Sequence, residues 1–162
     1  MVEFRPARVE DAADLSELAF RSKAYWGYPA EFMQACREEL NVDAETIEAE
    51  DCFYEVAIKA GRIAGFYALE GRGRSIELDA LFVEPQDIGK GIGRRLIERA
   101  RARAAALGAE ILTIQGDPNA IDFYHAAGAL LIGERESGSI PGRMLPLLEI
   151  DLARNARGNP AS

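Results

Sequence analysis

Three glycines at alternate positions, Gly89, Gly91 and Gly93, stand between an apolar segment and a run of residues with helical spacing. Backbone N–H groups at the start of a helix have no partner within the helix, and the helix dipole places partial positive charge there. Glycine lets a bulky phosphate approach these N–H groups closely, and Lys90 and Arg94 add formal positive charge. The segment therefore predicts a site for a phosphate-bearing ligand.

Two known phosphate loops fit this segment poorly. A P-loop requires the pattern G-x-x-x-x-G-K-S/T, which the sequence does not contain. A dinucleotide-binding fingerprint requires G-x-G-x-x-G in the first strand–helix unit of a parallel sheet. Here the spacing is G-x-G-x-G, and strand-like segments joined by short turns precede it.

Hydrophobic periodicity predicts the elements that must position this loop. A strand and up to three helices precede a meander of three strands, which we expect to be antiparallel because the turns are too short for a crossover. The long helix after the loop and the strand that follows it complete a strand–helix–strand unit, so those two strands should be parallel. Pro146 predicts that the last strand is an edge strand or carries a bulge. The predicted strands are about 2–8, 52–58, 63–69, 76–83, 111–115, 130–134 and 144–152. The first predicted helix ends near residue 23, and the other helices cover about 30–40, 44–50, 92–107 and 119–127.

Size and composition indicate one domain, which we expect to span 1–152 with a disordered tail at 153–162. The net charge of −8 disfavours nucleic acid as a partner, and no apolar run is long enough for a membrane span. With two cysteines, Cys36 and Cys52, and no signal-peptide pattern, we expect a reducing, cytoplasmic location. No Cys/His cluster has the spacing of metal ligands, so we expect no metal.

A local run of basic residues stands out from this acidic background. Its density suits a polyanionic ligand, but a solvated helix face with Glu98 and Glu110 nearby explains the same run. The run consists of Lys90, Arg94, Arg95, Arg99, Arg101 and Arg103.

Val83-Glu84-Pro85 followed by Ile88-Gly89-Lys90-Gly91-Ile92-Gly93 resembles the central motif of the GNAT acetyltransferase superfamily, Gln/Arg-x-x-Gly-x-Gly/Ala after a Val-x-Pro strand end. Ile88 takes the Gln/Arg position, so the resemblance implies a contact made there by the backbone alone. The order of elements along nearly the whole chain also resembles this family. The resemblance implies an α/β GNAT fold, with a mixed central sheet of six to seven strands flanked by about four helices.

The resemblance further implies acetyl-coenzyme A as the acyl donor. Two strands, 76–83 and 111–115, would splay apart, and the pantetheine arm would pair with the first of them like an added strand. The residues implied to bind the coenzyme are Leu81, Phe82, Val83, Ile88, Gly89, Lys90, Gly91, Ile92, Gly93, Arg94, Asn119 and Tyr124.

The segment from Asp117 to Ala129 resembles a second motif of the family, N-x-x-A-x-x-F-Y-x-x-x-G-F. Counted from Asn119, the spacing to Phe123-Tyr124 is one residue or more too short, and Ala129 replaces the final Phe. The resemblance implies that Tyr124 is the general acid near the thioester sulfur and that Asn119 hydrogen-bonds the pantetheine arm. A packed tyrosine and a helix cap are the structural alternatives for the two residues.

Acetyl transfer to an amine also requires removal of a proton from the amine. Glu77 and Asp79 alternate along a strand, so both side chains should point to one face. We predict Glu77 as the base, through water, and Asp79 as a substrate contact; a carboxylate on the wet face of the sheet is the alternative. His125, the single histidine, is predicted to lie on the surface.

Two segments predict the acceptor site. Tyr25, Trp26 and Tyr28 lie in the helix–helix connection that borders the acceptor groove in the resembled family, although a core plug also explains three aromatic residues. Arg143 lies in the Ser/Gly/Pro-rich loop before the last strand. It suits an acidic acceptor, and its loop equally suits a dimer contact.

The sequence thus predicts an acetyl-CoA-dependent N-acetyltransferase that acetylates the amine of a small molecule by direct attack. No covalent enzyme intermediate is expected, because no activated nucleophile is visible. The alternatives are a non-catalytic acyl-CoA-binding regulatory module, a nucleotide-binding regulator and a protein N-acetyltransferase. A homodimer is a further expectation of the resemblance.

Overall fold

The structure, a computed structural model, describes residues 1–153. A seven-stranded sheet with the order β1-β2-β3-β4-β5-β7-β6 forms its centre. β4 and β5 are parallel and every other neighbouring pair is antiparallel, which confirms the predicted mixed α/β sheet and its meander. The strands are β1 Val2–Pro6, β2 Cys52–Lys59, β3 Arg62–Glu70, β4 Ser75–Val83, β5 Ile111–Gln115, β6 Leu130–Glu136 and β7 Met144–Asp151. The helices are α1 Ala12–Ala24, α2 Ala30–Leu40, α3 Ala44–Glu48, α4 Ile92–Ala106 and α5 Ile121–Ala126.

Both faces of the sheet bury apolar side chains. On one face α4 packs with the stripe that its periodicity predicts, including Ile92, Leu96 and Ala100. On the other face α1 places Leu15 and Leu18 in a second cluster. The predicted tail, apart from Ala153, lies outside the described residues, and no helix of residues 1–153 is long and apolar enough to cross a membrane.

A β-bulge interrupts β4 at Asp79. Leu78 lies opposite Leu69 of β3, whereas Ala80 lies opposite Ala68, so Asp79 is the extra residue on its strand. A slip of one residue reverses which face each following side chain points to.

The reversal is visible in the two apolar clusters. Leu78, before the bulge, packs in the cluster under α4, and so do Leu81 and Val83 after it. In a regular strand Leu78 and Phe82, four residues apart, would point to the same face. Phe82 packs instead in the cluster beside α1. The bulge therefore re-aims the last part of β4.

β4 and β5 separate just after the bulge begins. Their parallel pairing runs from Ser75–Ile111 to Leu78–Ile114, and no pair follows it. β4 continues beside β3 to Val83, while β5 continues beside β7 to Gln115. The two strands thus form the arms of a V, as the sequence resemblance implied.

The expectation for Pro146 is wrong, because β7 lies between β5 and β6 and the register slip falls in β6 instead. The carbonyl oxygen of Pro146 accepts from the Gly116 N–H, so the Pro146 nitrogen also faces the β5 side. The last β5–β7 pair is Gln115 with Leu147. The missing N–H therefore falls beyond the paired segment and interrupts no ladder hydrogen bond.

Gly65 supports the close packing of β3, β4 and α4, and we predict that Gly65→Ala destabilises the fold. A Cβ there would lie 2.9 Å from the Phe82 carbonyl oxygen and 3.0 Å from a Leu96 methyl group. We expect a loss of about 1–3 kcal/mol in the free energy of unfolding, measured in urea. Gly61→Asn, at a turn where nothing lies within 4 Å, is the control and should change stability little. Equal losses in the two variants would contradict this explanation.

Candidate active site

One cleft, of about 580 Å³, lies where β4 and β5 separate. It joins the glycine loop, both β4 carboxylates and the start of α5 in a single space. The predicted site residues that line it are Trp26, Glu77, Asp79, Leu81, Phe82, Val83, Ile88, Gly89, Gly91, Gly93, Arg94, Asn119, Tyr124 and Arg143. The other four do not line it: Tyr25 and Lys90 are exposed, Ile92 is buried in the core, and Tyr28 lies behind the wall, stacked on Phe32.

The glycine loop has the conformation that its composition predicts. Gly89 and Gly91 have φ angles of 84° and 88°, in the left-handed region that glycine adopts without strain. Gly91 is the N-cap residue of α4, and no side chain caps this end. The first N–H groups of α4 are therefore available to an anion in the cleft. Gly93 has another function, because a Cβ there would lie 3.2 Å from the Phe123 ring.

A buried carboxylate anchors the loop from below. Asp87 is 1% exposed and accepts from Lys59 Nζ and from the Arg62 guanidinium, each at 3.1 Å. Burial alone would raise the pKa of Asp87, but these two hydrogen bonds outweigh it and hold the pKa below its usual value. Lys90 Nζ approaches the same carboxylate at 3.9 Å. The sequence gives no signal for this contact, because both main partners lie on the β2–β3 hairpin.

The two β4 carboxylates have different surroundings. Glu77 lies 3.3 Å from Arg135 on β6, which reaches across the sheet and also contacts Gln115. Asp79 forms no ion pair within residues 1–153 and faces the cleft from the bulge. Although Asp79 is exposed to the open cleft, partial desolvation raises its pKa to about 6, and nearby carboxylates, Glu70 first among them, add to the shift.

Tyr124 lies on α5, and its ring packs against the end of the β5 arm of the V. Its ring packs so closely on Gly116 that a Cβ there would lie 3.3 Å from two ring carbons. The side chain is buried, yet its hydroxyl forms no hydrogen bond with residues 1–153 and borders the cleft. Burial, followed by the charge of Asp117, raises the pKa of this phenol above its usual value. Tyr124 is therefore a neutral donor aimed into the cleft.

Asp117 connects the start of α5 to the helix–helix connection. Its carboxylate accepts from the Tyr28 hydroxyl at 2.7 Å, from Lys23 Nζ at 3.3 Å, and from both the backbone N–H and the side-chain amide of Asn119 at 2.8 Å. Burial would raise its pKa, but these contacts hold the pKa below its usual value. Arg143 completes the cluster by donating to the Tyr28 hydroxyl at 2.9 Å.

The second motif can also be aligned from its other end. Counted back from Phe123-Tyr124, the motif N-x-x-A-x-x-F-Y places its Ala at Ala120 and its Asn at Asp117. Asp117 is the N-cap of the short turn before α5, and the side-chain amide of Asn119 donates to the Asp117 carboxylate and to the Tyr28 hydroxyl. Spacing therefore identifies Asp117 as a second candidate for this position, and both Asp117 and Asn119 line the cleft.

The basic run is mostly occupied by contacts within the protein. Arg99 forms a bidentate pair with the buried Glu55, and Arg101 donates to the Ala127 carbonyl oxygen. Arg94 approaches Glu98 at 3.4 Å, and the guanidinium of Arg103 lies over the Phe53 ring. These contacts favour the interpretation of the run as a helix face. His125 is exposed, as predicted.

Backbone groups of β4 face the open side of the V. The Glu84 N–H donates to the Ala64 carbonyl oxygen of β3, so the preceding N–H, that of Val83, points the other way. Its partner there is the Ser22 hydroxyl of α1, at 3.4 Å. An extended ligand in the V could pair with this edge as an added strand does.

Comparison with known proteins decides the family. Residues 12–135 match the family model described as the acetyltransferase (GNAT) domain. The chain belongs to the GNAT acetyltransferase family. This GNAT chain is also similar to a peptidyl-lysine N-acetyltransferase, YjaB, from Escherichia coli K12, at 33% identity over 86 residues, which are 53% of this chain and 54% of the relative. The chain spans about half the length of the curated relatives it matches.

Solved structures share the GNAT fold over most of the chain. A GCN5-related N-acetyltransferase from Rhodopseudomonas palustris has a TM-score of 0.77 and 26% identity, covering 92% of this chain and 94% of the other. PaiA N-acetyltransferase from Thermoplasma acidophilum, solved with coenzyme A, has a TM-score of 0.75 and 20% identity, covering 93% and 99% of the two chains.

The anchor beneath the glycine loop yields a stability prediction. Asp87→Asn should lower the free energy of unfolding by roughly 2 kcal/mol at pH 7, because Lys59 and Arg62 lose their buried counter-charge. Because the folded-state pKa of Asp87 is lowered, its stabilisation is present at neutral pH and is lost as pH falls through that pKa. Urea unfolding at pH 7 and at acid pH measures both effects.

The control for this prediction is Asp122→Asn, which removes an exposed carboxylate near the other end of the cleft wall. It should leave stability within about 0.5 kcal/mol of the original chain. If Asp87→Asn behaves in the same way as Asp122→Asn, the carboxylate does not anchor the loop.

Proposed function

We propose that this GNAT chain transfers an acetyl group from acetyl-coenzyme A to a primary amine, which attacks directly. The observation that supports this best is the shared cleft. An uncapped helix start, a carboxylate with a raised pKa and a buried, unpartnered phenol all border one space. A module that only bound the coenzyme would require the helix start but neither Asp79 nor Tyr124.

The residues present fit the coenzyme. Gly89 and Gly91 place no side chain between the cleft and the first N–H groups of α4, so a pyrophosphate can approach them. Ile88 offers only its backbone there. The open edge of β4 at Leu81 and Val83 suits the amides of a pantetheine arm. Bound in this way, acetyl-coenzyme A supplies an activated thioester.

For the base we propose Asp79, with Glu77 in a supporting position. Both line the cleft, but Glu77 is neutralised by Arg135, whereas Asp79 has no ion-pair partner within residues 1–153. A carboxylate whose pKa is near 6 is mostly ionised at neutral pH and still accepts a proton readily. The bulge places Asp79 where the strands diverge, so it faces an amine that enters the V.

For the acid we propose Tyr124. Its hydroxyl is protonated at physiological pH, as any phenol with an ordinary or raised pKa is, and it forms no hydrogen bond within the described chain. A donor of this kind can give its proton to a departing thiolate. Gly116 fixes the position of the ring on the β5 arm, opposite the arm that carries Asp79.

Protein acetylation is a second candidate function, favoured by the similarity to YjaB, which is named a peptidyl-lysine N-acetyltransferase. Two exposed aromatic residues provide a surface for a peptide: Trp26, which lines the cleft, and Tyr25, whose ring packs against that of Trp26. Acetylation assays with free amino acids, polyamines and lysine peptides, followed by free coenzyme A release, distinguish the two functions.

Tyr124→Phe tests catalysis against simple binding. We expect kcat to fall about 100-fold, because the variant has no proton for the leaving thiolate. The dissociation constant of acetyl-coenzyme A, measured by calorimetry, should stay within about threefold, since the ring still packs on Gly116. If affinity falls together with rate, or if rate does not fall, Tyr124 is not the acid.

The pH dependence of the rate tests Asp79. We expect kcat/KM to rise with pH to a plateau above about 6, where the carboxylate becomes ionised. Asp79→Asn should remove this limb and slow the reaction about 100-fold. The matched variant Glu77→Gln should retain the limb, because Asp79 is still present. A limb that persists in Asp79→Asn and disappears in Glu77→Gln would assign the base to Glu77.

Asp79→Asn, which should slow the reaction, is not expected to lower the free energy of unfolding. Because the folded-state pKa of Asp79 is raised, its ionisation costs stability progressively as pH rises from about 4 to about 6. Solvent screens this cost because Asp79 is exposed to the open cleft, so Asp79→Asn should be as stable as, or slightly more stable than, the original chain at pH 7 in urea unfolding, whereas general damage to the fold would lower stability.

A further inference from the structure

Two cations and one carboxylate meet at the wall of the acceptor end of the cleft. Lys23 Nζ lies 3.3 Å from Asp117, and the Arg143 guanidinium lies 3.9 Å from the same carboxylate. Within residues 1–153, no other carboxylate lies within 4.0 Å of either cation. Tyr28, between them, is a neutral phenol whose pKa is raised by burial. The cluster therefore has a formal charge of +1.

The two cations of this cluster are largely shielded from water. The side chains of Lys23 and Arg143 are only 16% and 19% exposed, and both line the cleft. Each lies near the faces of the stacked rings of Tyr28 and Phe32, at 4.8–5.8 Å from the ring centroids. A cation that has lost water and is only partly paired gains most from an anion that enters beside it.

The β4 arm of the V carries negative charge, in contrast to the positive cluster beside the β5 arm. Asp79 on β4 and Glu39 on α2 face the cleft without an ion-pair partner among the described residues, whereas Glu77 is paired with Arg135. The Asp117 cluster follows the end of β5. An acceptor in the cleft therefore meets negative charge at one arm and positive charge at the other. A molecule that complements both carries an amine and a carboxylate.

We propose that Lys23 and Arg143 form an anion subsite that selects an acceptor amine carrying a carboxylate, an amino acid in chemical class. This inference rests on the proposed acetyl transfer. The amine approaches Asp79 on the β4 arm, and the carboxylate binds Arg143 and Lys23 beside Tyr28. A polyamine or an internal peptide lysine would leave the subsite without its anion.

Steady-state kinetics with matched acceptors test whether the anion subsite selects amines that carry a carboxylate. Amino acids are compared with their carboxamides and with the corresponding decarboxylated amines, with free coenzyme A release as the readout. We expect kcat/KM to be about 10- to 100-fold higher for the carboxylates, as for loss of a charge-assisted hydrogen bond. In Arg143→Met that preference should fall below about threefold, with little change for the decarboxylated amines. Lys23→Met is a second variant if Arg143→Met does not fold.

The control is Arg37→Met, which removes a guanidinium that also lies over an aromatic ring, that of Phe20, but outside the cleft. It should retain the full preference for carboxylates. Equal kcat/KM for amino acids and their carboxamides, or equal use of a peptide lysine with no carboxylate nearby, would overturn the anion subsite while leaving acetyl transfer intact.

A binding measurement separates the two proposals. Trp26 is the single tryptophan of the chain and lines the cleft, so its fluorescence reports ligands without turnover. N-acetyl-L-alanine should bind about 10-fold more tightly than its carboxamide, and Arg143→Met should remove the difference. If this selectivity is present but no amine is acetylated, the subsite stands and the proposed reaction fails. Equal binding of the two probes would contradict the subsite.

Discussion

The separation of β4 from β5 is the constraint on which the rest of the site depends. Parallel pairing that continued to Val83 would close the cleft and satisfy the backbone groups that now face it. The bulge at Asp79 makes the separation compatible with a continuous core, because it returns Leu81 and Val83 to the layer under α4. One extra residue thus keeps the sheet packed where the V opens and places a carboxylate at the point of divergence.

Three aspartates show how this architecture gives one residue type three roles. Asp87 and Asp117 are held ionised by cations and N–H donors, and their pKa values are lowered. Asp79 is desolvated without an ion-pair partner among the described residues, and its pKa rises to about 6. The difference comes from position rather than from the carboxyl group itself. The first two aspartates form ion pairs at the two ends of the cleft, and the third is the one that we propose as the base.

The elements were largely predictable because each has a local pattern. The stripe on α4, the short turns of the meander and the strand–helix–strand unit follow from spacing alone. The contacts that define the site are not local. Asp87 meets Lys59 across 28 residues, and Tyr28 meets Arg143 across 115. The prediction that Pro146 marks an edge strand or a bulge was wrong for a related reason. Its missing N–H interrupts no pairing only because β5 ends beside it, which the sequence near Pro146 does not show.

The arrangement of the cleft is also compatible with the acid and base that we propose. Asp79 and Tyr124 lie on different arms of the V, and their pKa values are too far apart for the carboxylate to deprotonate the phenol. Desolvation is the first cause of both raised pKa values. Asp79 is exposed to the open cleft and has a raised pKa, whereas Tyr124 is buried and its phenol stays protonated. The proton transfer that we propose therefore needs the strands to stay apart, because both groups reach the same cleft only where β4 and β5 separate.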